Sequence, residues 1–446
     1  MADRWRVLAA ALSTRGRRFT TRDALERHQQ NRLRQVLGRA SRVFPHYRAL
    51  AGASLAEYPV LDKATWLAHF DGLNDRGLRL DDCRAAALDG ERSGRFDAEL
   101  AGVSLGLSSG TSGQRGVFLT TPHERARWAG TMLARALPSL REPTRVALVL
   151  RSGGPLYESI ESRRVAFEHV DLGLPPDEIA ARLAAFAPTV LAAPPQALDD
   201  LAARHRDGRS SAPEPDSSRW HSWSRPLAPT TIFSIADVLD DEVAARVEAA
   251  FGVPVGQVYQ ATEGFLGITC THGTLHLNED LLVVERQLLD AASGRFSPII
   301  TDLYRSSQAI IRYRLDDVLI PGPDNCPCGS VFATVARVEG RADDVPWFVD
   351  ASGGRQPLFA GDVRTAILAA PGVQDFRLVQ RSDGGLRLAV RPQRAQASGH
   401  VALQRLIAAR GLELRELTGM PWPVESRIDK RRQVRREPTQ RGPEQR

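Results

Sequence analysis

Residues 145–193 read RVALVLRSGGPLYESIESRRVAFEHVDLGLPPDEIAARLAAFAPTVLAA. The first six residues form an apolar run short enough to be a buried strand, Pro176–Phe186 carries apolar side chains at helical spacing, and 189–193 is apolar again. Strand, helix and strand in that order predict an α/β fold with a largely parallel sheet. Working outward, 206–229 is crowded with Ser, Pro, Asp and Arg and predicts a surface loop. The same rhythm then resumes. Residues 231–235 read as strand, and 241–251 as a helix with Val243, Val247, Ala250 and Phe251 on one face and Gly252 as its C-cap; 253–259 returns to strand. From 275 to 320 apolar and polar positions alternate between Gly and Pro turns, which predicts antiparallel β structure. Upstream, residues 1–80 place Leu25, Leu33, Val36 and Leu37 on an apolar helical stripe. Beyond 341 a small α+β unit is expected, with helices at 362–370 and 401–410 and strands at 376–380 and 386–390. The chain after Pro421 is basic and poor in large apolar residues. No internal repeat is present.

The 446-residue chain is 42% hydrophobic and 25% charged, an ordinary globular balance at a length for two to four structural units. No apolar run approaches the ~18–20 residues of a membrane span, and the apolar stretch 7–12 is shorter than a secretory core; neither insertion nor secretion is expected. Four cysteines, with Cys326 and Cys328 one residue apart, do not make a disulfide framework, so a reducing, cytoplasmic setting is expected. The net charge of +6 gathers at Arg15, Arg17, Arg18 and Arg22 and again at 427–436. No basic motif interleaved with aromatics accompanies it, so small anionic ligands are expected rather than nucleic acid. Of 59 basic residues only Lys63 and Lys430 are lysine, and a lysine kept against that bias suits a role the broad guanidinium fork does not fill.

The richest local signal for chemistry is Leu107-Ser108-Ser109-Gly110-Thr111-Ser112-Gly113-Gln114-Arg115-Gly116. Small residues leave backbone N–H groups uncovered, and hydroxyls at 108, 109, 111 and 112 add donors, as a phosphate cradle requires. It is not a Walker A loop, because no Gly-Lys-Ser/Thr closes it. The alternative is a flexible Ser/Gly linker, against which the strand-like residues 117–121 follow at once.

This loop resembles the phosphate loop of the adenylate-forming superfamily, in its phenylacetate-CoA ligase branch, with Gln114 or Arg115 where the family usually carries lysine. Val258-Tyr259-Gln260-Ala261-Thr262-Glu263-Gly264 is similar to the family's Tyr-x-x-Thr-Glu segment. The resemblance implies that Tyr259 packs on adenine, Thr262 contacts the α-phosphate and Glu263 helps hold Mg²⁺. Ile311-Arg312-Tyr313-Arg314-Leu315-Asp316-Asp317 resembles Ile-Arg-Tyr-x-x-Gly-Asp, which makes Asp317 the ribose ligand; Asp316 replaces glycine, as in ligases that adenylylate a deazaflavin coenzyme. Gly340-Arg341-Ala342-Asp343-Asp344 resembles the hinge motif, with Asp343 as pivot and Arg341 as a nucleotide contact. The resemblance runs in order from Tyr58-Pro59-Val60-Leu61-Asp62-Lys63 to the C-terminus. It implies a helical lead-in over 1–90, an AMP-binding core of layered α/β subdomains with a β-rich portion over 91–340, and a small mobile α+β lid over 341–446.

The implied activity is that of an AMP-forming ligase using ATP, Mg²⁺ and CoA: a small carboxylic acid, aryl or hydrophobic acyl, becomes an acyl adenylate and then a thioester. Lys430 lies where the family's catalytic lysine reaches the carboxylate and α-phosphate, whereas Lys63 suits a structural or loop-anchoring role. Three rivals stand beside this: transfer to a carrier-protein thiol, transfer of AMP to a hydroxyl, or a non-catalytic nucleotide-binding protein. Finally, Cys326-Pro327-Cys328 with Cys270 and His276 supplies the ligand types of a closed Zn²⁺ site, and similar positions occur in the branch resembled. The alternative is reduced buried thiols, with His272 or His276 as a surface loop residue.

Overall fold

A computed structural model describes residues 2–93, 98–108, 115–151, 153, 155–206, 227–423 and 432–437. Two compact units emerge: Met1–Leu315 with Ile320–Arg337, and Asp316–Leu319 with Val338–Arg446.

In the first unit five parallel strands lie in the order Val165–Asp171, Thr144–Leu150, Val190–Ala193, Thr231–Ser234, Val255–Ala261. Alternate residues point to opposite faces: Ala147, Leu191 and Ile232 pack with the helices Pro176–Phe186, Pro195–Arg206 and Asp241–Phe251, while Val146, Val190 and Phe233 pack on the other side with Ala126, Ala129 and Leu133 of helix Pro122–Ala136. Both faces are therefore buried, as a parallel sheet demands. Strand Val165–Asp171 was not foreseen. It is an edge strand with Glu168 and His169 at its middle, so no apolar run marks it. Strand Gly264–Thr269, which was not foreseen, extends the sheet antiparallel together with Leu275–Leu277, and within the expected antiparallel region Leu282–Asp290 pairs with Arg295–Asp302. Gly252 caps its helix at φ 69°, the left-handed turn that only glycine adopts without strain.

The N-terminal helices do not stand apart. Thr21 caps helix Arg22–Val43 by accepting from the Ala24 N–H, and Asp62 caps Lys63–Ala68 through Thr65. Trp66 is fully buried, stacks on Phe118 at 5.2 Å between ring centroids, and donates its indole N–H to the Ala309 carbonyl at 3.0 Å. One core thus joins the lead-in to residues 300–315.

In the second unit, helices Ala360–Leu368 and Gln396–Ala409 cover a four-stranded sheet ordered Leu417–Gly419, Leu386–Arg391, Asp375–Gln380, Val434–Arg436. The last strand lies in the basic stretch after Pro421, where none was foreseen. It lies parallel to Asp375–Gln380, with Val434 opposite Leu378 and buried in the core; three residues with one inward side chain are too short a pattern to be seen in sequence. No described helix is long and apolar enough to cross a membrane.

Candidate active site and metal centre

Strands Val103–Leu107 and Val117–Thr120 pair antiparallel, with Ser108 and Gly116 at their adjoining ends. The neck they form is stitched twice: the Ser108 N–H donates to the Gly116 carbonyl at 2.9 Å, and the Gly116 N–H donates to the Ser108 hydroxyl at 2.7 Å. Arg115 then locks the neck to the lead-in. Its Nε donates to the Ser108 carbonyl at 2.9 Å and its fork grips both oxygens of Glu91 at 2.6 Å, a bidentate pairing that holds the Glu91 carboxyl below its ordinary range. Arg115 is therefore committed to the protein itself. Ser109, Gly110, Thr111, Ser112 and Gly113 lie outside the described residues, as does Gln114.

Thr262 and Glu263 form the tight turn between strands Val255–Ala261 and Gly264–Thr269, with the ladder slipping one residue between Tyr259 and Gln260. The turn sits past the carboxyl end of a parallel strand, the usual place for a ligand crevice in α/β sheets. The Thr262 hydroxyl donates to Glu263 at 3.0 Å, and Glu263 is buried. Arg305 donates to the Thr262 carbonyl at 3.2 Å, while its other terminal nitrogen is buried without a hydrogen-bond partner among the described residues. Behind it Glu124 accepts from the backbone N–H groups of Thr121, Ser306 and Ser307. Burial alone pushes the Glu124 carboxyl up, but Arg305 and these three donors outweigh it and hold the group at about 2. At the neighbouring strand end, Ala236 is held at φ 66° beside Ser234, whose buried hydroxyl has no partner among the described residues. Such strain concentrates at functional sites.

Arg312, also at positive φ (45°), donates to both oxygens of Glu285 and to the carbonyls of Ala56 and Tyr58. The Leu61 N–H donates to the Arg312 carbonyl at 3.0 Å, and Arg314 pairs with Asp62 at 3.2 Å. Two motifs some 250 residues apart in sequence thus brace each other.

In the second unit Asp317 opens the strand Asp317–Pro321. Arg341 donates to Asp316 at 2.8 Å and lies 3.6 Å from Asp343. Burial works against the Arg341 charge, but Asp317, Asp316, Asp343 and Asp344 together raise its pKa. Asp316 is accordingly a partner of Arg341. Asp344 accepts from Arg432 at 2.9 Å. Lys430 lies outside the described residues.

Cys270, His276, Cys326 and Cys328 converge, their ligand atoms all within 4.8 Å of one another. Two turns, each closed by a glycine at positive φ, deliver the three cysteines, Cys270 to Gly273 (φ 79°) and Cys326 to Gly329 (φ 74°), and strand Leu275–Leu277 delivers His276. The Cys270 and Cys326 sulfurs are 3.7 Å apart, and Cys328 Sγ is 3.4 Å from His276 Nε2; a tetrahedron built on Zn–S bonds of about 2.3 Å has edges of about 3.7 Å. The other ring nitrogen of His276 lies 3.1 Å from the Phe332 carbonyl, which favours the tautomer that turns the Nε2 lone pair to the cluster. Backbone N–H groups of His272 and Ser330 point at Cys270 and Cys328. The residues fit a zinc ion.

Sequence reasoning did not single out Glu91, Glu124 or Arg305. Their partners are remote in the chain, and the only local hint was Thr121-Pro122-His123-Glu124, a capping box.

No protein-family model and no curated protein matches the chain. Solved structures do. A 2-hydroxyisobutyryl-CoA ligase in the postadenylation state, in complex with 2-HIB-AMP, is 18% identical over 93% of this chain and 89% of its own, with a TM-score of 0.60. An anthranilate CoA ligase in complex with anthranoyl-AMP is 12% identical over 75% and 66%, with a TM-score of 0.50. A benzoate CoA ligase from Burkholderia xenovorans LB400 is 14% identical over 74% and 67%, also at 0.50. The chain has the fold of the adenylate-forming superfamily.

Proposed function

We propose that this protein is an ATP-dependent, AMP-forming ligase that activates a small carboxylic acid and passes the acyl group to the thiol of CoA. The observation that carries the reading is the Thr262-Glu263 turn at the carboxyl end of strand Val255–Ala261, with the Glu263 carboxylate buried, in a fold whose solved neighbours hold acyl adenylates. A carboxylate oxygen of the acid attacks the α-phosphorus of ATP, the bond to pyrophosphate breaks, and the acyl adenylate remains; the thiol sulfur then displaces AMP from the acyl carbon and loses its proton. Stabilising charge as pyrophosphate leaves is the main demand on the protein. The 108–116 loop supplies backbone and hydroxyl donors, Thr262 reaches the α-phosphate, Tyr259 packs on adenine, Asp317 takes the ribose, and Arg341 contacts the nucleotide. Glu263 would hold Mg²⁺, which when bound neutralises phosphate charge. Lys430 is assigned the catalytic ammonium. An aryl or hydrophobic acyl acid is the substrate class, supported by the acids named for the neighbours. Cys270, His276, Cys326 and Cys328 are assigned a structural zinc.

The test is acid-dependent release of pyrophosphate across a panel of aryl and aliphatic acids. Wild type should release it with at least one acid, and Glu263→Gln should lower the rate by about 10²–10³-fold with the fold intact. A wild-type enzyme silent across the panel, or a Glu263→Gln variant as fast as wild type, overturns the assignment.

A further inference from the structure

Away from the nucleotide motifs, three guanidinium groups converge on one aromatic ring. Arg32 and Arg127 lie with Cζ at 4.3 and 4.4 Å from the centroid of Tyr304, and Arg17 at 5.7 Å. They come from separate segments: Arg17 follows helix Ala2–Gly16, Arg32 is on Arg22–Val43, Arg127 is on Pro122–Ala136 and Tyr304 follows Arg295–Asp302. Folding therefore assembles the cluster; no local basic run does.

What balances this charge decides the argument. Arg17 pairs with Asp280 at 3.3 Å, but Asp280 also serves Arg135. Arg32 donates to the Gln35 side chain and the Leu303 carbonyl, both uncharged, and its buried Nε has no hydrogen-bond partner among the described residues. Among the described residues Arg127 makes no hydrogen bond or ion pair beyond its place over the ring. Burial, Arg32 and Arg17 all press the Arg127 guanidinium down from its ordinary pKa; Tyr304 and Asp302 oppose them. Asp302 spends one carboxylate oxygen on the backbone N–H groups of Tyr304 and Arg305. Tyr304 is half-buried and so are Arg32 and Arg127, so the cluster is reachable from solvent.

We infer that Arg17, Arg32 and Arg127 around Tyr304 form a binding site for a phosphate dianion. A ring quadrupole offsets only a fraction of the repulsion among half-buried like charges, whereas a tetrahedral dianion neutralises two of them and accepts from several planar N–H forks at once. The phosphate is either a free ion or the terminal phosphate of a larger molecule; the 3′-phosphate of CoA is the natural case, and that assignment alone rests on the function proposed above.

The experiment follows thermal unfolding of the full chain against inorganic phosphate, with chloride holding ionic strength fixed. Wild type should rise by about 2 °C or more at saturation. Arg127→Gln should start higher than wild type in phosphate-free buffer, because one of three repelling charges is gone, and should lose most of the phosphate-dependent rise, with affinity at least tenfold weaker by calorimetry. Arg127→Lys keeps the charge without the fork and should fall between the two, which keeps the test valid if the glutamine variant folds poorly. Arg182→Gln, on an exposed helix, controls for general anion effects. Equal phosphate affinity in wild type, Arg127→Gln and Arg127→Lys overturns the site. Binding of CoA and of dephospho-CoA then separates the sources: a loss in Arg127→Gln confined to CoA places the 3′-phosphate here, and no loss with either leaves free phosphate as the ligand.

Discussion

Six donors meet on one carboxylate at Glu124: the N–H and hydroxyl of Thr121, and the N–H and hydroxyl of both Ser306 and Ser307. A carboxylate so served prefers its charged form, and the Glu124 carboxyl stands at about 2 although burial opposes it. Because the folded pKa lies below the unfolded value of about 4.3, the group contributes stability that is complete above pH 5 and lost as pH falls through about 4 to 2. The amount is on the order of 2–3 kcal/mol. Glu124→Gln removes the charge while keeping the shape. Its stability deficit against wild type, measured by urea midpoints at pH 7, 5, 4 and 3, should hold constant down to pH 5 and shrink below it; a deficit that grows in acid contradicts the linkage. The same residue marks the limit of sequence reading. Thr262 and Glu263 were legible because they adjoin one another inside a quotable motif. Glu124 was not, since its partners Ser306 and Ser307 stand 182 and 183 residues away and nothing local in Arg125 or Glu124 points to them.

Among the elements, the contact between helix Ala2–Gly16 and helix Pro122–Ala136 turns on Gly130. A Cβ there would meet the Val7 carbonyl, the Ala10 Cβ at 2.6 Å and the Ala11 nitrogen at 2.8 Å, and two of those three atoms are backbone. Gly130→Ala sets two effects against each other. Helix propensity favours alanine by about 1 kcal/mol, whereas overpacking a rigid helix contact costs about 1–3 kcal/mol, so a net loss of stability and earlier proteolysis within residues 2–16 are expected. A more stable variant would show that the two helices part without penalty. Elements were legible where burial made a pattern: Asp241–Phe251 with Gly252 behind it, and the strands of 275–320. They were missed where only one or two side chains point inward, as at Val434, or where an edge strand carries polar residues, as at Glu168 and His169.

At the scale of the whole chain, the four candidate metal ligands bring the turn at 270–273 to the turn at 326–329, across 56 residues from Cys270 to Cys326. Scarcity made this legible: of four cysteines, Cys83 is buried in the lead-in core and the other three meet at His276. Left to themselves, three thiols at this spacing do not all ionise, and burial with the neighbouring Cys326 and Cys270 thiols pushes Cys328 up to about 11. A divalent cation reverses that preference, because each thiolate gains a direct bond to it. Protein purified without chelator should therefore carry about one zinc per chain. Cys328→Ser should lose the metal and several kcal/mol of stability, and a strong chelator should bring wild type down to the variant's unfolding midpoint while leaving the variant where it is. That last comparison discriminates, since a packing defect at Cys328 would lower the variant but give the chelator nothing to remove from wild type. Metal analysis that finds no zinc, together with a midpoint unmoved by chelator, would leave the quartet as reduced thiols beside a histidine, with the Phe332 carbonyl orienting His276 to no purpose.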